Sequence, residues 1–218
     1  MARNKYPEET INRILDVSMN LFLEKGYEHT SIQNIIENLG GLTKGAIYHH
    51  FKSKEDILLA VTERLYQDHD KEWMESLAEN KTLTGLEKLR MMLRGSLASP
   101  KQDKLFAAAP NMLKNPKMLT IQIQSIFEET APLYLRPIIE QGIADGSIQT
   151  DYPEELAEVI LLLLNLWLNP MVYYDEPKVI QRRIGLFQQM LLGMGVDLID
   201  ETMKERFEEL CTFYGKNK

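Results

Sequence analysis

Between Thr43 and Lys54 the chain reads Thr-Lys-Gly-Ala-Ile-Tyr-His-His-Phe-Lys-Ser-Lys. A threonine ahead of a helical stretch is an N-cap. At 100° per residue the stretch puts Ile47 and Phe51 on one side, toward a core. Gly45 and His49 fall on the opposite side, flanked by Ala46 and Tyr48. That outer face is small at its start and polar-aromatic further on. A small start lets a helix approach base edges, where Ala46 suits a thymine methyl and Lys44 suits guanine or a phosphate. Tyr48 and His49 can donate to phosphates, and the amides beneath Thr43 favour an anionic oxygen. Lys52 and Lys54 stand where the next helix begins, a second place for a phosphate. Phosphate contacts set register and base contacts set sequence. The chemistry this segment suits is the reading of a DNA duplex.

Three further elements must hold that helix in place. Ile11, Ile14, Leu15, Ser18, Leu21 and Phe22 recur at helical spacing, and Lys25-Gly26 is a stop signal. Thr30 or Ser31 can cap a short second helix with Ile32, Ile35, Ile36 and Leu39 on one face. Gly40-Gly41 ends it, Thr43 opens the third helix, and the pair makes a helix-turn-helix pattern. Ser53 can cap a fourth helix whose inner face is Ile57, Leu58, Val61 and Leu65. Downstream the apolar spacing stays helical to about Tyr214, with breaks at 79–81, 99–100, 145–147 and 169–170. Pro132 and Pro137 should kink or split a long helix opened by Pro116. No alternating run bounded by hairpin turns competes, so the chain reads as all-α.

The segments Thr30-Ser31-Ile32-Gln33-Asn34-Ile35 and Leu42-Thr43-Lys44-Gly45-Ala46-Ile47-Tyr48-His49-His50-Phe51-Lys52-Ser53-Lys54-Glu55-Asp56-Ile57-Leu58 resemble the DNA-binding domain of the TetR family of transcriptional regulators. Phe22 to Thr30 fits the first helix and turn of that domain, and the resemblance covers about residues 8–66. It implies an N-terminal three-helix helix-turn-helix DNA-binding domain, residues 1–52. A larger helical ligand-binding and dimerisation domain would follow over 53–218, entered by a long linking helix at about 53–78. The implied activity is that of a ligand-responsive regulator, a homodimeric repressor released from a palindromic double-stranded operator by a small apolar or amphipathic effector. The positions implied to contact DNA are Thr30, Ser31, Thr43, Lys44, Gly45, Ala46, Tyr48, His49, His50 and Lys54. The Leu39–Thr43 turn is one residue longer than usual for the family, and His50 stands where many members carry an aromatic residue.

The same residues admit other readings. A helix-glycine-helix pattern alone often marks a plain αα-hairpin. An all-α small-molecule-binding protein or enzyme would need a catalytic constellation, and there is no glycine-rich phosphate loop, no His-Glu-x-x-His and no Ser or Cys nucleophile signature. No cofactor or metal site is expected: His49-His50 diverge around the helix, and Asp68-His69-Asp70 does the same, His69 falling near Trp73 at i+4. Cys211 has no base nearby and reads as an apolar filler. A transcriptional activator and a protein–protein adaptor are the remaining alternatives. Two late helices are apolar enough to pair across a two-fold axis, through Val159, Leu162 and Leu166 with Ile180, Ile184, Phe187 and Leu191. Phe106, Met112, Phe127, Trp167 and Tyr173 form the candidate lining of an effector pocket.

Charge refines the expected partner. Across 218 residues, 25 Lys/Arg against 32 Asp/Glu leave −7, which excludes an indiscriminate nucleic-acid coat or a polybasic membrane anchor. Residues 1–56 carry seven cations and eight anions. That near-neutral segment gathers its cations at Arg3, Lys5, Lys44, Lys52 and Lys54. The longest apolar run, Val159 to Leu168, is too short to span a membrane, and the first residues lack the apolar core of a signal peptide. The expected location is the cytoplasm.

Overall fold

The computed structural model describes residues 7–66, 70–98, 103 and 106–215. Every regular element among them is helical. In order they are α1 (Pro7–Lys25), α2 (Ile32–Asn38), α3 (Lys44–His50), α4 (Lys54–Tyr66), α5 (Asp70–Glu79) and α6 (Gly85–Ala98), then a 3-10 turn (Met112–Lys114). There follow α7 (Pro116–Ser125), a π-helical stretch (Ile126–Leu135), α8 (Arg136–Asp145), α9 (Pro153–Leu162) with a π turn (Leu163–Trp167), α10 (Pro177–Gly193) and α11 (Glu201–Gly215). Arg3, Lys5, Asp68, His69 and Gln102, the break at residues 99–100 and the side chain of Leu65 lie outside the described residues. The expected linking helix is accordingly described as α4 and α5, on either side of residues 67–69. No described helix is long and apolar enough to cross a membrane.

The first three helices close on one small core. Ile14 and Phe22 of α1, Ile35 of α2, Leu39 just past its end and Ile47 of α3 are fully buried together with Ile57 and Leu58 of α4. Each such side chain removed from water contributes roughly 1.5–3 kcal/mol. α4 lies along α1, pinned at its far end by Arg64, which meets Asp16 at 2.6 Å and the Asn12 carbonyl at 3.3 Å. α4 therefore packs along its length as part of the head, while α5 packs on α6.

The body is built around a close helix crossing. A Cβ on Gly85 of α6 would sit 2.3 Å from the Gly142 nitrogen of α8, so only glycine permits the two backbones to approach this far. Lys88 is 2% exposed, and its ammonium caps the end of α5 by donating to the Ala78 carbonyl at 2.6 Å and to Gln141 Oε1 at 2.7 Å. The proline-rich helix does not break. Pro132 falls inside the π-helical stretch, whose wider turn accommodates its ring, and Pro137 follows directly on that stretch in the first turn of α8. An ionic ladder fastens α6 to the last helices: Arg90 reaches Asp197 at 2.7 Å, Arg94 pairs with Asp200, and Arg206 of α11 pairs with Asp103 and donates to the Leu97 carbonyl at 2.8 Å.

Two expectations for the body are corrected here. Ile180, Ile184, Phe187 and Leu191 are at most 1% exposed and face the chain's own core. They cannot meet a partner. The large apolar side chains of α10 that do face outward are Leu186, Met190 and Leu192, while Val159, Leu162 and Leu166 remain half-buried. The five expected pocket residues do not converge either. Phe106 and Met112 are buried, Trp167 is half-buried, and Phe127 and Tyr173 are 43% and 52% exposed. Phe106 alone of the five lines a cavity of about 350 Å³ between head and body.

Candidate nucleic-acid interface

The second and third helices are capped as their residue types require. Ser31 accepts from the Asn34 N–H at 3.1 Å, and the Asn34 side chain accepts from the Ser31 N–H at 3.0 Å, closing a capping box. Gly40 and Gly41 both take positive φ, 56° and 103°. Side-chain-bearing residues rarely adopt either, and the two glycines absorb the extra residue of the turn. Thr43 then accepts from the Ala46 N–H at 3.3 Å and starts α3. Ile47 at 0% and Phe51 at 8% exposure seat α3 on the head core.

Seating α3 on Ile47 and Phe51 decides what it shows outward. Thr43, Lys44, Gly45, Tyr48 and His49 are exposed, and Ala46 and His50 are half-buried. Tyr48 stands out at 44%, with the Lys44 ammonium 5.7 Å from its ring centroid. This is a loose cation–π contact that leaves the charge in solvent. His50 packs edge-on against His49 with ring centroids 5.0 Å apart. Burial, and then the neighbouring His49, lower the pKa of His50. A lowered value keeps its ring neutral near pH 7, a donor on one nitrogen and an acceptor on the other. No group of three His, Cys, Asp or Glu among the described residues could hold a metal ion.

Two of the expected DNA contacts are turned inward. Thr30 is 1% exposed, and its hydroxyl donates to the Gly26 carbonyl at 2.9 Å and the Leu21 carbonyl at 3.2 Å. It locks the start of α2 to the end of α1 and presents nothing to a duplex. Lys54 donates to the Tyr27 carbonyl at 2.8 Å and lies 4.0 Å from the Tyr27 ring centroid. Burial lowers its pKa, against the opposing charges of Glu28 and Glu55. Here Lys54 is a strut between α4 and the turn ahead of α2. Ser31 keeps an exposed position although its hydroxyl is used in the cap.

Periodicity gives no hint of a contact that ties this head to the body. Asp56, in the first turn of α4, pairs with Lys117 of α7. The same carboxylate accepts from the Lys52 N–H at 3.1 Å, only two residues beyond the end of α3. The Lys117 hydrogen bond is the main cause holding the Asp56 carboxyl below the usual carboxylate range. α4 and α7 also pack together here.

The family model described as bacterial regulatory proteins, tetR family, matches residues 14–61. These are the residues that build the core beneath α3. The uncharacterized HTH-type transcriptional regulator YerO of Bacillus subtilis is 26% identical over 185 residues, 82% of this chain and 62% of that protein. The chain thus spans less than two thirds of that relative. The HTH-type transcriptional repressor AcnR of Corynebacterium glutamicum is 26% identical over 167 residues, 74% of this chain and 80% of its own. Beyond the head, the crystal structure of a TetR-family transcriptional regulator from Pectobacterium atrosepticum shares the fold with a TM-score of 0.58, at 22% identity over 91% of this chain and 99% of that one. The capped helix-turn-helix and the core beneath it thus match the tetR family of bacterial regulatory proteins over residues 14–61, and the body shares the fold of a TetR-family regulator.

Proposed function

We propose that the chain is an effector-responsive repressor that binds a palindromic double-stranded operator as a homodimer. Helices α1 to α4 serve as the reading head and the helices from α5 onward as the ligand-binding and dimerisation body. The observation that carries this reading is the outward face of α3, where Lys44, Gly45, Tyr48 and His49 are exposed while Ile47 and Phe51 anchor the helix from beneath. Thr43, Ala46, His50 and Ser31 complete the face offered to DNA. A dimer would set two such helices in successive major grooves, about 34–36 Å apart. The repressor sign is supported by the similarity to AcnR, a transcriptional repressor.

Dimerisation is assigned to the outward apolar side chains Leu186 and Met190 of α10, with Leu162 and Leu166. A small apolar or amphipathic effector would shift the head spacing through its differential affinity for two arrangements of head and body. The test is selection of bound duplexes from a random pool, followed by competition with unrelated DNA and sedimentation of the complex. The expected result is a palindrome with half-sites one helical turn apart and two chains per site. Equal affinity for all duplexes at every salt concentration would overturn the reading.

A further inference from the structure

Two features of α10 are unfavourable within the chain that carries them. Gly185 lies in the middle of the helix, where glycine is among the poorest helix formers. A Cβ there would meet nothing within 4 Å, so no packing of this chain calls for a glycine. Gly85, Gly95 and Gly142 differ, since a Cβ on each would come within 2.6 Å of a neighbouring atom. Lys178 stands in the first turn, at the positive end of the helix dipole, and that turn holds no acidic residue. Arg182 follows one turn on, exposed like Lys178. Neither cation makes an ion pair or hydrogen bond among the described residues, although Glu176 caps the helix.

These residues share one side of their helix. Lys178, Arg182, Gly185 and Leu186 follow the spacing i, i+4, i+7, i+8, opposite the buried stripe of Ile180, Ile184, Phe187 and Leu191. α9 has a matching side. Glu155, Glu158, Val159 and Leu162 recur at i, i+3, i+4, i+7, with Leu166 beyond, and each is exposed or half-buried. Glu154 meets Arg136 at 3.3 Å, whereas Glu155 and Glu158 make no ion pair or hydrogen bond among the described residues. On both helices the charged half comes first and the apolar half second, and the charges are of opposite sign.

From this pattern we infer that a second copy of the chain lays its α9 parallel along α10, acidic half on basic half and apolar half on apolar half, with the closest approach over Gly185. The spacing of packed helices follows the side chains at the contact, and glycine gives the smallest. The partner's carboxylates supply the anions that the first turns of α10 lack. The reverse orientation would set Glu155 and Glu158 on Leu186 and Met190, desolvating charges that find no partner. The pattern therefore rejects the wrong pairing as well as favouring the right one. A two-fold axis repeats the contact, so each dimer holds it twice. The inference rests on the dimer reading above and adds which faces meet and what fixes their direction.

Sedimentation equilibrium of the full-length protein tests it with two charge-reversed variants. One carries Glu155→Lys and Glu158→Lys, the other Lys178→Glu and Arg182→Glu. Each alone sets like charges face to face twice per dimer and should raise the dimer Kd at least about tenfold at low salt. The loss should shrink as salt is added. Mixed one to one, the two should form a heterodimer with a Kd within about threefold of the wild type, because the reversed α9 of each meets a face of opposite charge. Misfolded variants cannot restore one another, and an unchanged helical circular dichroism is the control for each. Where reversal disturbs folding, the neutral Arg182→Gln should still weaken the dimer about threefold. Gly185→Ala should improve helix formation and yet raise the dimer Kd about fivefold. Gly185→Leu should leave a helical monomer. Folded reversed variants that dimerise like the wild type, or a mixture of them that stays monomeric, would overturn the pairing and leave a dimer of another kind standing. A Gly185→Leu chain that dimerises at wild-type strength would overturn the close approach. A wild-type chain that stays monomeric at every concentration would overturn the dimer reading and this inference together.

Discussion

At the scale of single residues, the cations near α3 divide into two that face solvent, Lys44 and Lys52, and one that is structural, Lys54. Lys44 is exposed and loosely held over Tyr48. Lys44→Ala should alter base preference at one operator position, at a cost of about 1–3 kcal/mol if it reads a base. If it meets a phosphate, the salt dependence of binding should flatten by about one unit instead. Binding isotherms at several salt concentrations separate the two. Lys54 sits in the same stretch of sequence with its ammonium committed to the Tyr27 carbonyl and ring. Lys54→Ala should destabilise the head by roughly 1 kcal/mol in urea denaturation and leave the salt slope unchanged. A flattened slope would show that the strut releases to meet DNA. Thr30→Val keeps the shape and removes the one hydroxyl hydrogen that the Gly26 and Leu21 carbonyls share. It should cost about 1–3 kcal/mol of stability with no change in base preference.

Among the elements, the head was legible because its signals are local. Ser31, Thr43 and the paired glycines each fix a helix end within a few residues, and Ile47 and Phe51 reveal the inner face by spacing alone. Nothing in spacing tells a cap hydroxyl or a surface lysine from a strut, so the sequence does not show that Thr30 and Lys54 turn inward. Their partners, the Leu21 carbonyl and the Tyr27 ring, are set by how α1 and α4 fold over the turn. In the body the helices are legible but their pairing is not. Ile180, Ile184, Phe187 and Leu191 form as good an apolar stripe as a dimer seam would, and only packing shows that this chain uses the stripe itself. The α6–α8 crossing is the same kind of fact, since no periodicity says that Gly85 meets Gly142. Gly85→Ala should therefore act against intuition for a helix. The gain in helix propensity is at most about 1 kcal/mol. The new methyl group meets backbone that cannot yield, 2.3 Å from the Gly142 nitrogen. A net loss of about 1–3 kcal/mol is expected, measured by thermal unfolding. A stabilised variant would show that the two helices can separate cheaply.

Over the whole molecule, the proposed effector response requires that head and body be neither loose nor fused. Asp56 and Lys117 bridge them at the position where a shift of α4 would reach α3 soonest. The pair is partly exposed, 24% on the aspartate side and 56% on the lysine side, so solvent screening limits it to about 0–1 kcal/mol. That is small beside the stability of a domain but large enough to tune an equilibrium between head positions. Its pH dependence has a definite sign. The folded-state pKa of Asp56 is depressed, chiefly by the Lys117 hydrogen bond. The contribution is therefore present in full above the unfolded value of about 3.9 and is lost as pH falls through the depressed folded value. Lys117→Ala removes the main cause of the depression, so the Asp56 carboxyl should titrate nearer its ordinary range, readable by carbon-detected NMR of the side chain. At neutral pH the same variant should keep its affinity for a selected operator within about fivefold, since at most about 1 kcal/mol is removed and none of it from the DNA face. What should fall is the reciprocal change between effector and operator affinities, because coupling exists only while each site biases the other's preferred state. Coupling as large in Lys117→Ala as in the wild type would mean that the α4–α7 apolar contact alone carries the signal, and that the ion pair only trims stability.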